Sequence, residues 1–112
     1  MTTQDDAEQR LSAALTDVHQ AYKRAAEALG QIPDPHRAFH VATALATALR
    51  ELADDAADQR ALTVERIWHH EATSLASLAQ RIGVSKARAG QFMKSARNVR
   101  DRQTRETPCA DK

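Results

Sequence analysis

Apolar residues recur along the start of the chain with helical rather than strand spacing. Leu11, Leu15, Val18, Tyr22, Ala25 and Leu29 step alternately by four and three, an a/d seam nearly three heptads long. The seam predicts a helix from about Gln4 to Leu29 and puts Gly30 where a left-handed C-cap would end it. Asp34 and Pro35 then supply an N-cap and a proline at the first helical position. A second seam follows in Ala38, Ala42, Leu45, Leu49, Leu52 and Ala56. The short connection predicts an antiparallel helical hairpin, with the alanines of the second seam allowing close approach.

No Gly or Pro occurs from His36 to Ile82. The second seam falters where Gln59 and Thr63 take the next heptad positions, and resumes one residue out of phase at Ala57, Ala61, Val64, Ile67 and Trp68. A straight helix of 3.6 residues per turn drifts in this way against a heptad repeat. Either one long helix runs to about Glu71, the arrangement the drift favours, or it breaks near Asp54–Asp58 with an aspartate capping a third helix. Thr73 or Ser74 then caps a short helix through Arg81, and Ser85 caps a last helix to about Arg100. The tail "DRQTRETPCADK" has almost no apolar residue and is expected to be disordered. Nowhere do β-branched and polar residues alternate as in a strand. The predicted fold is all-α: a dimerising hairpin over 1–56, a second helical unit over 57–100 and a tail over 101–112.

Composition agrees with helices: 112 residues include only three Gly and three Pro. Charge adds an asymmetry that the net value of +1 conceals. Residues 1–80 hold 7 Lys/Arg against 12 Asp/Glu, whereas residues 81–112 hold 9 against 3. The basic end therefore has its own purpose, or at least its own environment. The acidic, polar start has neither the basic region nor the apolar stretch of a secretory signal, and no apolar run is long enough for a membrane. The lone Cys109 cannot form an internal disulfide. A cytoplasmic protein without a membrane partner is expected.

The two features meet in "SLASLAQRIGVSKARAGQFMKSAR", Ser74 to Arg97. Two short amphipathic segments flank "IGVS" there. Ala79 is small enough for two helices to cross closely. Gly83 tolerates positive φ at a corner. Leu78, Ile82, Val84, Ala89 and Phe92 are placed to fill the wedge between the segments. This is the pattern of a helix-turn-helix, whose second helix enters the major groove. The stretch resembles the helix-turn-helix of sigma-factor region four and of the small bacterial regulators that share it, over about residues 61–98. The matching pieces are "SLASLA", "RIGVS" and "SKARAGQ"; the branched residue usual in the middle of the recognition helix is replaced by Ala89. The resemblance implies that Ser85, Lys86, Ala87, Gly90, Gln91 and Lys94 face the DNA. Gln91 suits adenine, Lys86 guanine, and the Ala87 methyl a thymine methyl. Arg88, Lys94 and Arg97 suit phosphates, as do the amides at the Ser74 and Ser85 helix starts. Gly90 costs about 1 kcal/mol against Ala in a helix, and close backbone approach to DNA would be its use.

Other candidates carry less chemistry. His36 with His40, and His69–His70–Glu71, lack further ligands at a recognisable spacing and read as surface or interface residues. Trp68 reads as a packing anchor, and Asp54, Asp55 and Asp58 as a solvated stripe. Nothing resembles a phosphate-cradling glycine loop or a catalytic triad, so neither an enzyme nor a cofactor is expected. A two-helix hairpin leaves its seams half wet, and a single helix-turn-helix covers too little DNA to select one site. Both point to a homodimer through Leu11, Leu15, Val18 and Tyr22 on the first helix and Leu45, Leu49 and Leu52 on the second. The functional expectation is a nucleoid-associated transcriptional regulator, most simply a repressor, with double-stranded DNA as partner. Two alternatives are an architectural or segregation protein of plasmid, phage or chromosome, and an adaptor docking on RNA polymerase or a sigma factor.

Overall fold

The computed structural model describes residues 2–72 and 74–106 and is built of four helices: α1 (Thr3–Gly30), α2 (Pro35–Glu71), α3 (Leu75–Ile82) and α4 (Lys86–Glu106). No strand occurs among the described residues. Cys109 lies outside them. No helix there is long and apolar enough to cross a membrane.

The helix starts follow local chemistry. Thr2 Oγ1 accepts from the Asp5 amide at 3.1 Å, and Asp34 Oδ1 accepts from the His36 amide at 3.0 Å. Ser74 Oγ accepts from the Ser77 amide at 3.0 Å, so Ser74 caps α3. Ser85 Oγ accepts from the Arg88 amide at 3.0 Å and caps α4. Each cap satisfies an amide that the helix itself leaves without a partner. α2 runs unbroken for 37 residues, and no aspartate interrupts it near position 54.

Two expected ends are corrected. Gly30 is not a left-handed cap, since Gly83 is the one positive-φ residue among those described. α1 ends instead on a tightened turn, in which the Gln31 amide donates to Ala28 O at 3.1 Å and Ile32 to Leu29 O at 3.2 Å. Pro33 then stops propagation, because it constrains Ile32 and has no amide to give. The last helix does not stop at Arg100 but continues to Glu106, so 101–106 is no disordered tail. Two tertiary anchors hold it: Val99 is buried, and Arg102 Nη2 donates to Asp58 Oδ2 on α2 at 3.0 Å.

The chain divides into two compact units, Met1–Ala48 and Leu49–Lys112, whose division falls within α2. In the first unit no described residue is buried. Partial cover is confined to Ala25, Ala26 and Leu29 at the end of α1, Ile32 in the turn, and Ala38, Val41, Ala42 and Leu45 at the start of α2. The rest of the α1 seam is open: Leu11 is 61%, Leu15 60%, Val18 54% and Tyr22 46% exposed. The expected hairpin therefore does not close over that seam within one chain.

The second unit holds all the buried residues. Val64 of α2, Leu78 and Ala79 of α3, and Ala89 and Phe92 of α4 form one cluster. Ile67, Trp68, Leu75, Ile82, Val84 and Met93 pack around it. Gly83 makes the corner between α3 and α4 at φ 75° and ψ 34°. Its amide donates to Ala79 O, and the Val84 amide reaches the same carbonyl at 3.0 Å, bringing the Val84 side chain back onto the core. An L-residue at this φ is strained, so Gly83→Ala should lower stability by about 1–2 kcal/mol. Thermal melting followed by circular dichroism checks this; an unchanged midpoint would show that the corner does not need its glycine.

Candidate nucleic-acid interface

The inward face of α4 decides its outward one. Ala89, Phe92, Ala96 and Val99 are buried. With 100° of turn per residue, the opposite face carries Ala87, Gln91, Lys94 and Asn98, and all four are exposed. Ala87, Gln91 and Lys94 thus share one surface. Asn98 continues it by one turn; its polar type and spacing of four from Lys94 were the only signals for it in the sequence.

The remaining candidates flank this face. On one side an open groove of about 430 Å³ is lined by Trp68, Leu75, Gly90, Met93, Lys94 and Arg97. Lys86 begins the same four-residue row as Gly90 and Lys94, and is exposed. On the other side the Arg88 guanidinium stands 4.4 Å from the centre of the Phe92 ring. Arg88 Nη1 also donates to Gln91 Oε1 at 3.2 Å. Gln91 must release that bond, or share its oxygen, before both ends of its amide can pair with a base. Arg60 reaches the same Phe92 ring from α2, at 5.4 Å. Arg60 has no helix-turn-helix signal in the sequence, and only the packing of α2 on α4 brings it here.

Ser74 and Ser85 spend their hydroxyls on the amides of Ser77 and Arg88. Both are exposed at helix starts, where the positive end of the helix dipole favours an anion.

Gly90 is placed differently from the expectation. It is half-buried, and a Cβ on it would point to Leu75 Cδ2 at 3.5 Å, an ordinary contact. Its bare edge thus faces α3 and the groove floor, and not the outward face of Ala87 and Gln91. Neither its backbone nor its neighbours require glycine.

The cations of this unit fall into two groups. Arg81 pairs with Glu71 at 3.2 Å, Arg102 with Asp58 at 3.0 Å, and Arg100 with Glu65, whose side chain is only 11% exposed. Among the described residues Lys86, Arg88, Lys94 and Arg97 have no acidic partner, and neither do Arg50, Arg60, Arg66 and Arg105. No Asp or Glu occurs in the sequence from Ala72 to Arg100. Two cations of α4, Arg100 and Arg102, are thus paired with α2, while Lys86, Arg88, Lys94 and Arg97 present charge without acidic partners around a polar face. Such a surface attracts polyanions and can read base edges.

The other sequence candidates stay apart from this face or outside it. His36, His40, His69 and His70 are exposed on α2, and no group of three metal-ligating side chains gathers among the described residues. Asp54 and Asp55 are exposed, while Asp58 is committed to Arg102. Trp68 is partly buried against the core. No protein-family model, curated protein or solved structure matches this chain.

Gly90→Ala should raise stability by up to about 1 kcal/mol, because it removes the helix penalty without a clash. Urea denaturation measures it. A loss of stability would mean that the α3–α4 seam cannot accept the methyl group.

Proposed function

We propose that this chain is a sequence-specific DNA-binding regulator of transcription that acts as a homodimer, with the first half of α4 in the major groove. The cluster of cations around one exposed face of α4 is the observation that carries this reading. Lys86, Arg88, Lys94 and Arg97 lie on or beside that face without acidic partners, in a stretch from Ala72 to Arg100 that holds no Asp or Glu. The exposed Ala87, Gln91 and Lys94 suit this use: a methyl, an amide and an ammonium are the groups that meet base edges and phosphates. α3, the Gly83 corner and α4 serve as the helix-turn-helix. Repression by covering a promoter is the simplest mechanism, since it asks for no contact beyond DNA.

The dimer is supported by α1. Its exposed Leu11, Leu15, Val18 and Tyr22 make an apolar stripe that a second copy would cover, and Leu52 on α2 is separately 58% exposed. Leu45 and Leu49 are already half-covered and would complete that core. Two-fold symmetry would set two recognition helices on half-sites about 34 Å apart, or a multiple of that.

Fragments selected from the source genome, measured by fluorescence anisotropy, provide the test. Affinity should fall steeply as salt rises, through released counterions. Gln91→Ala should cost about 1–3 kcal/mol on the selected site and little on a scrambled duplex. Lys94→Ala should weaken both alike. Absence of binding to either duplex by the intact protein refutes the reading. Leu15→Glu combined with Val18→Glu should give a monomer by analytical ultracentrifugation; a persistent dimer would place the interface elsewhere.

A further inference from the structure

Phe92 is the one aromatic ring that two guanidinium groups approach, one from each of two helices. Arg88 of α4 stands 4.4 Å and Arg60 of α2 5.4 Å from its centre. The two charges are therefore no more than about 10 Å apart. The ring itself is buried, at 9% exposure, and both arginines are exposed. Neither has an acidic partner among the described residues, although the same unit pairs Arg81, Arg100 and Arg102 with carboxylates.

Gathering two like charges without an acid is unfavourable in the free protein. The ring offsets part of that through attraction between each cation and its π face. It also gives each guanidinium a seat, which lessens the side-chain freedom left to lose on binding. An anion close to both would be bound by charge-assisted, bidentate hydrogen bonds. We infer that Arg60 and Arg88, seated on Phe92, form a phosphate clamp for one strand of duplex DNA. The inference rests on the DNA-binding reading and adds to it a contact from α2, outside the helix-turn-helix.

The position of the pair on α4 favours DNA over a free anion. Lys94 and Arg97 line the groove on one flank of the outward face, and Arg88 and Arg60 mark the opposite flank. A helix lying in the major groove has a sugar-phosphate wall on each side. Cations on one flank only would grip one wall. With Arg88 and Arg60 together on the other flank, both walls are met by more than one cation, and the face of Ala87 and Gln91 is centred on the bases between them. Phosphate contacts of this kind set register and add affinity without adding sequence preference.

The test uses the full-length protein and two fluorescein-labelled duplexes of about 30 base pairs, room for two half-sites. One is a genome-selected fragment and the other has its sequence scrambled. Arg60→Ala should weaken binding to both by a similar factor, roughly 5- to 10-fold, and flatten the plot of log affinity against log salt by about one unit per protomer. Arg60→Lys should restore most of the slope, because it keeps the charge. Inorganic phosphate at equal ionic strength should not compete better than chloride; strong competition would show a free-anion site and overturn the clamp. An Arg60→Ala protein with unchanged affinity and slope overturns it too, while leaving DNA binding by α4 intact. Weakened binding that Arg60→Lys does not restore marks a packing role for the Arg60 stem, which also overturns it. If the unaltered protein binds neither duplex, it is the DNA reading itself that falls.

Discussion

The placement of α4 depends on a core in which buried alanines meet a few large side chains. Ala89 and Ala96 on α4 are fully buried, Ala61 on α2 is 1% and Ala79 on α3 5% exposed. Alanine at a crossing lets backbones approach closely and costs no rotamer freedom. Leu78 and Phe92 then fill the space the alanines leave. With Ala89, Phe92 and Ala96 inward, helical geometry leaves Ala87, Gln91 and Lys94 nowhere to point but outward. Half of the eight buried apolar residues are alanines, which contribute little transfer free energy each, whereas a buried Leu78 contributes about 1.5–3 kcal/mol. In so lean a core, the helix caps and the Gly83 corner carry a large share of a margin that is small in any domain.

Electrostatics acts on the same helix. Glu65 is the one buried charged residue among those described, and it needs Arg100, because an unpaired carboxylate under cover is costly. Asp58 and Arg102 repeat the arrangement farther along α4. These pairs tie α4 to α2 at Arg100 and Arg102. The first half of α4 has no such acids within reach, since none occurs between Ala72 and Arg100.

Much of this was legible in the sequence where the cause is local. Ser74, Ser85 and Asp34 act through amides two or three residues away, and Gly83 through its own φ. A linear reading finds such features. Gly30 misled because a glycine after an apolar seam fits a left-handed cap, yet Pro33 closes α1 just as well through a tightened turn. The helical state of 101–106 escaped because polar composition hides a tertiary cause, the hold of Asp58 on Arg102 across 44 residues. Gly90 and Arg60 were illegible for the same reason. What Gly90 faces is Leu75 on α3, and what makes Arg60 notable is a ring on α4. Properties that belong to pairs of distant residues cannot be read from either one.

The first unit poses a separate physical problem. A 28-residue α1 with no buried residue gains nothing from packing along most of its length. Propensity alone leaves such a helix marginal in water. Its seam nevertheless keeps a strict four-three spacing through Leu11, Leu15, Val18 and Tyr22, and covering each of these large side chains is worth about 1.5–3 kcal/mol. Among the described residues nothing covers these side chains. On the proposed reading a second copy covers them, so the fold of α1 and the number of DNA half-sites engaged depend on the same association. A protein built in this way responds to its own concentration twice: once in the stability of its N-terminal unit, and again in its hold on DNA.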